Sequence, residues 1–133
     1  FLGSEYKVHT IENMYSYVHL DSTIALLREG LCLLNPERVN EDNIPEPLKS
    51  WDKIWCPDMI DIGHYPNYNH ASVWIGINLL SLNENLVICD ENQTELHKEL
   101  YKNNIEVIPM KLRHARTLGG SFHCTTLDIC RES

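Results

Sequence analysis

At 133 residues the chain has the size of a single domain and is long enough to bury a real core. Its net charge of −8, with 11 basic against 19 acidic residues and no long basic stripe, argues against a nucleic-acid partner. No signal peptide or membrane-length apolar run is visible, and the five cysteines are scattered without a C-x-x-C pair, so no zinc or dithiol site is signalled and a reducing cytoplasm is the expected setting.

In chain order, residues 6–11 read as a strand. His19-Leu20-Asp21-Ser22-Thr23 then opens a hairpin: residues 23–27 are apolar and β-branched, Arg28-Glu29-Gly30 is a tight turn, and 31–34 are apolar again. Strands so continuously hydrophobic are expected to be buried on both faces. Pro36 closes the hairpin, a short helix is expected around 47–53 with Pro47 at its start, and 59–62 should be extended. The order then recurs. Residues 74–82 read as a strand, 83–85 as a turn and 86–89 as the return strand. A helix over 94–103 follows, with Asn92 as its N-cap and Leu96 and Leu100 on one face, and 105–112 is again extended. Both copies read β-β-α-β, and their turns begin at 28 and 83, 55 positions apart. Residues 6–11 then fit the last strand of an earlier copy, and 122–131 the first strand of a later one. A repeating unit with hydrophobic flanks needs neighbours, as in an array or propeller. Two copies and two orphan strands do not close a ring, so residues 1–133 are expected to be the C-terminal portion of a longer catalytic domain.

Chemistry concentrates in Leu118-Gly119-Gly120-Ser121-Phe122-His123-Cys124-Thr125-Thr126. Adjacent glycines permit positive φ and close approach of other groups to the backbone. The strand expected after them would carry Cys124. Lys111, Arg113, His114 and Arg116 precede it, and nearby positive charge lowers a thiol pKa and favours the nucleophilic thiolate. On chemistry alone, an inert cysteine buried on a core strand is the plainer reading. His19 is a candidate general base, and Asp21, two residues on, would share its side of an extended strand. A histidine and a cysteine distant in sequence and adjacent in space is the usual arrangement for an activated thiol. Arg38 is a candidate planar clamp for a carboxylate, although read in isolation a solvated loop arginine is the plainer reading. Residues 64–72, aromatic and polar without periodicity, have the composition of a ligand-lining loop. His123 and Cys124 would point to opposite faces of a strand, which argues against a shared metal ion.

Taken together, Tyr6-Lys7-Val8-His9, His19-Leu20-Asp21-Ser22-Thr23, Leu34-Asn35-Pro36-Glu37-Arg38, Trp74 with Asn78-Leu79-Leu80-Ser81-Leu82, and Gly119-Gly120-Ser121-Phe122-His123-Cys124 resemble the glycine amidinotransferase family. Its members move an amidino group from arginine to an amine. The resemblance covers almost the whole chain, and the glycine-cysteine block at this distance from the His-x-Asp block is its most specific part. It implies an α/β fold, a partial five-bladed ββαβ propeller of pentein type with about two modules plus flanking strands.

The resemblance also implies roles. Cys124 would attack the guanidinium carbon to form an amidino-cysteine, releasing ornithine. His19 would protonate the departing amine and later deprotonate the incoming one. Asp21 would hold the guanidinium, and Arg38 and Ser72 the substrate carboxylate. The partners implied are arginine and an amine acceptor, with no cofactor, and a homodimer is expected of the full-length protein. Two further acidic residues of the family belong upstream of the matched segment. Where the family often shows two serines the chain has Ala71-Ser72, so only Ser72 carries over. The 64–72 loop differs from the creatine-pathway enzymes and points to bacterial relatives that build guanidinium-bearing natural products, such as cyanobacterial toxins. Competing readings are a hydrolase of the same superfamily, with water as acceptor, and a non-catalytic assembly piece.

Overall fold

Each apolar hairpin of the sequence forms, and each recruits a third strand. The computed structural model describes residues 3–12, 14, 20–65 and 68–129. Strand β1 (Ile24–Arg28) pairs antiparallel with β2 (Leu31–Leu34) across a turn at Gly30, whose φ of +79° suits a residue without a Cβ. β2 in turn pairs parallel with β3 (Asp52–Trp55). β4 (Leu80–Asn83), β5 (Leu86–Asp90) and β6 (Glu106–Met110) repeat that order and those directions.

A parallel neighbour requires a crossover. In the second unit it is helix α1 (Thr94–Lys102), whose Leu96 and Leu100 are fully buried as the i,i+4 spacing predicts. Its cap position is Gln93 rather than Asn92. Asp90 Oδ1 accepts the Asn92 N–H at 2.9 Å, while the Gln93 side chain is spent on the backbone of Ile60, at 2.9 and 2.8 Å.

In the first unit the crossover contains only a 3-10 turn, Glu46–Leu48, in place of the helix expected around 47–53. The segment closes with i→i+3 bonds, Lys49 N to Glu46 O at 3.3 Å and Trp51 N to Leu48 O at 3.1 Å, and ends where Asp52 joins the sheet. The third strand also comes earlier than 59–62, because the Asp52 N–H bonds Gly30 O at 2.8 Å and captures the chain against β2. Residues 74–82 split into a 3-10 turn, Val73–Ile77, followed by β4. Neither expected orphan strand forms a ladder among the described residues: Val8 in 6–11 is 79% exposed, and 122–125 is a turn.

β2 is buried on both faces. Leu31 and Leu33 enter the main core with Leu27, Ile54, Trp74, Ile77, Val87, Leu96 and Leu100, while Cys32 and Leu34 pack with Ile24, Val39, Ile44 and Leu48. β1 contributes Leu27 to the first cluster and Ile24 to the second, while Leu26 is 58% exposed. The two units meet along β1 and β4, where Arg28 donates to Glu84 O at 3.2 Å and to Asn103 O at 3.1 Å. Among the described residues no helix is long and apolar enough to cross a membrane.

Candidate active site

Three short turns converge beside the seam of the two sheets. The first, Leu20–Ser22, is a 3-10 turn rather than an extended strand, and it presents Asp21 on one side and Ser22 on the other. His19 lies outside the described residues. The second turn, Val73–Ile77, begins at Ser72 and ends at Asn78. The third is 121–125, which carries Cys124.

That third turn replaces the expected strand for a local reason. Thr125 N bonds Ser121 O at 3.1 Å and Thr126 N bonds His123 O at 3.1 Å. The Thr125 and Thr126 hydroxyls both donate to Phe122 O at 3.2 Å, and Asn78 Oδ1 accepts the N–H groups of Ser121 and Cys124 at 3.0 and 3.2 Å. Hydroxyl and amide side chains that satisfy nearby backbone groups compete with a β ladder, and here they win. The turn brings neighbours 123 and 124 to one side. His123 Nδ1 lies 2.9 Å from Asp21 Oδ2, and Cys124 Sγ donates to the same oxygen at 3.2 Å. The opposite-faces argument against a shared ion therefore fails, since the three side-chain atoms lie within 4.8 Å of one another.

The glycines do separate jobs. Gly119 closes the short helix α2 (Ala115–Leu118) in the left-handed region at φ +76°. Gly120 makes room: a Cβ there would stand 2.7 Å from Cys124 Cβ. Gly120→Ala should therefore displace the Cys124 side chain, changing the rate of Cys124 alkylation several-fold with the fold retained. A variant with the wild-type alkylation rate would show that the close approach does not set the placement of the thiol.

Cys124 is exposed, whereas Cys32, Cys56 and Cys89 are buried, and burial pushes the Cys89 thiol up to about 12. The Cys124 thiol is also raised, first by partial burial and then by the hydrogen bond and negative charge of Asp21, with the Asn78 side chain and Ser121 backbone opposing. This reverses the expectation drawn from the basic segment. Arg116 is buried and turned toward the 61–71 loop, where it pairs with Asp61 and donates to Ala71 O at 3.1 Å. Lys111 reaches toward Glu91 at 3.9 Å. These contacts tie Asp61, Tyr65, His70 and Ala71 to α2: His70 N also bonds Arg116 O, and Tyr65 N bonds Thr117 Oγ1, both at 2.9 Å.

Arg38 and Ser72, expected to act together, are brought together. Arg38 Nη2 donates to Ser72 Oγ at 3.1 Å, and Nη1 donates to Ser22 Oγ at 3.2 Å and Thr23 Oγ1 at 2.9 Å. The group is continuous with the cysteine by two routes, through Ser22 to Asp21 and through the 72–78 segment to Asn78. Among the described residues Arg38 is half-buried and has no carboxylate partner. An open cleft of about 750 Å³ runs past Asp21, His114, Leu118, Cys124 and Thr126.

In the sequence Asn78 belongs to the Asn78-Leu79-Leu80-Ser81-Leu82 motif, and its own signal is a polar residue between Ile77 and Leu79 in an apolar run, since a buried amide implies partners.

No protein-family model matches the chain. Proteins alike in sequence and backbone across the whole region are transferases of amidino groups. Inosamine-phosphate amidinotransferase 1 of Streptomyces glaucescens is 52% identical over 130 residues, 98% of this chain and 37% of that protein. The solved inosamine-phosphate amidinotransferase StrB1 from Streptomyces griseus superposes with a TM-score of 0.96 at 48% identity, over 99% of this chain and 38% of that one. SxtG, an amidinotransferase from Microseira wollei in the saxitoxin pathway, gives 0.76 at 34% identity, over 87% and 34%. L-arginine:L-lysine amidinotransferase of Pseudomonas savastanoi pv. phaseolicola and mitochondrial glycine amidinotransferase of Xenopus laevis are 37% and 35% identical. The chain belongs to the amidinotransferase family. It spans between 31% and 38% of the length of these relatives.

Proposed function

We propose that the protein transfers the amidino group of arginine to an amine, through a covalent intermediate on Cys124. The observation that carries this reading is the contact of Cys124 Sγ with Asp21 Oδ2, a nucleophile and a guanidinium-binding carboxylate side by side. The full propeller and the homodimer implied by the family resemblance belong to this reading too.

Arginine enters with its guanidinium on Asp21 and its carboxylate on Arg38 and Ser72. Positive charge on Asp21 cancels the effect that holds the thiol protonated, so substrate itself favours the thiolate. The thiol proton passes to His19. Sγ bonds to the guanidinium carbon, the carbon–nitrogen bond to ornithine breaks, and His19 returns the proton to the leaving amine. The acceptor amine then attacks the amidino carbon, its proton goes to His19, and the carbon–sulfur bond breaks to restore the thiolate. Identity is higher to the inosamine-phosphate enzymes than to the others, at 52% against 37% and 35%, so an inosamine phosphate is the first acceptor to try.

The test is isotope exchange in the full-length protein. Labelled ornithine should appear in arginine with no acceptor present, because the first half-reaction is reversible and complete in itself. Exchange that requires the acceptor would refute the covalent route.

Asp21 offers a second check. Asp21→Asn removes the negative charge that raises the Cys124 thiol. The midpoint of iodoacetamide alkylation at Cys124 should fall to lower pH, so labelling at neutral pH should quicken several-fold while amidino transfer is lost. An unchanged or higher midpoint would show that Asp21 does not govern the thiol.

A further inference from the structure

Asn78 is 1% exposed, yet it is polar at the junction between the 73–77 turn and β4. Three N–H groups of the cysteine turn end on it. Its Oδ1 accepts from Ser121 and Cys124 at 3.0 and 3.2 Å, and its backbone carbonyl accepts from His123 at 3.4 Å. Two donors on Oδ1 fix the orientation of the amide, because the flipped rotamer would set an NH₂ against two N–H groups. The same orientation leaves Nδ2 buried without a hydrogen-bond partner among the described residues. A buried donor left unpaired is costly and calls for an explanation.

We propose that Asn78 is the positioning residue of the nucleophile: its oxygens hold the 121–124 turn, and its unpaired Nδ2 is the donor that receives the Cys124 sulfur when it ionises. A neutral thiol makes little use of such a donor, and a thiolate makes good use of it, since hydrogen bonds to charged groups are the stronger ones. The orphan donor is thus unsatisfied only in the resting state. The pull of the Asn78 side chain on the Cys124 thiol, opposite to that of burial and Asp21, agrees. Asp21 and His123 also face the sulfur and are unaltered by changes at 78. The inference rests on Cys124 being the nucleophile.

Two variants of the full-length protein test it. Asn78→Ala removes acceptor and donor without adding charge, and should lower kcat about 10–100-fold with arginine KM within about threefold. Its Cys124 alkylation midpoint should move to higher pH. Asn78→Asp keeps an acceptor for the Ser121 and Cys124 N–H groups and lacks the donor. It should restore the melting temperature lost in the alanine variant while leaving kcat unrescued. Recovery of wild-type kcat by aspartate, or an alkylation midpoint unmoved in the alanine variant, would reduce Asn78 to a structural plug and overturn the proposal. If Asn78→Ala fails to fold, the rate and alkylation midpoint of Asn78→Asp decide alone, a wild-type kcat or an unmoved midpoint overturning the proposal. Alkylation needs no substrate, so it reads the role of Asn78 even if wild-type exchange shows that the amidino reading is wrong.

Discussion

Cys124→Ser should abolish ornithine–arginine exchange, with a loss on the order of 10⁴-fold or more in kcat, equivalent to about 5 kcal/mol or more of barrier. Serine preserves the volume and the hydrogen bond to Asp21, so the fold and the arginine affinity should survive. What it lacks is a nucleophile that ionises readily near neutral pH, because a hydroxyl is a far weaker acid than a thiol and the Asp21 carboxylate opposes its anion further. Acid quenching of the wild-type protein with arginine should leave a mass increment that fragmentation places on Cys124 rather than Cys130, and none on the peptides holding Cys32, Cys56 or Cys89. Those three are buried, and their thiols are raised by burial. A serine variant that still exchanged ornithine would remove the covalent mechanism altogether, and an adduct on another cysteine would move it.

The repeat was legible because hydrophobic runs and Gly or Asn turns act locally. Leu31–Leu34 and Leu86–Asp90 are flanked by the turns the sequence shows, and both hairpins form there. The errors came where tertiary capture overrides local preference. Residues 52–55 carry no stronger strand pattern than 59–62, yet Gly30 O claims Asp52 first. Phe122, His123, Thr125 and Thr126 look like strand residues, and threonine hydroxyls with a distant asparagine fold them into a turn instead. Resemblance put Asp21 and Cys124 in one site, and they are in contact. No spacing rule revealed that the sulfur would meet a carboxylate rather than the basic residues just before it. Arg116 is four residues from Gly120 in sequence, and its charge goes to Asp61. Proximity in sequence is a poor guide to the field at a thiol.

Arg38→Ala should cost about 2–4 kcal/mol in kcat/KM for arginine, nearly all of it in KM. The argument begins with an imbalance. Arg38 is half-buried, and among the described residues its guanidinium donates to the neutral hydroxyls of Ser22, Thr23 and Ser72. These oxygens orient the guanidinium without cancelling its charge. A partly desolvated cation without an anion gains strongly from one, and a planar fork accepts a carboxylate through two parallel hydrogen bonds. If the substrate carboxylate is that anion, deleting either partner should cost a similar amount, and deleting both should cost little more than one. Agmatine, which is arginine without its carboxylate, supplies the second deletion. Wild-type protein should favour arginine over agmatine by the factor that Arg38→Ala forfeits, and the variant should lose most of that preference. Arg38→Lys should recover only part of it, since a point charge cannot engage three hydroxyls and a bidentate carboxylate together. A variant that kept the full preference for arginine would place the carboxylate on some other cation and leave Arg38 as a brace between the 20–22 and 72–78 segments.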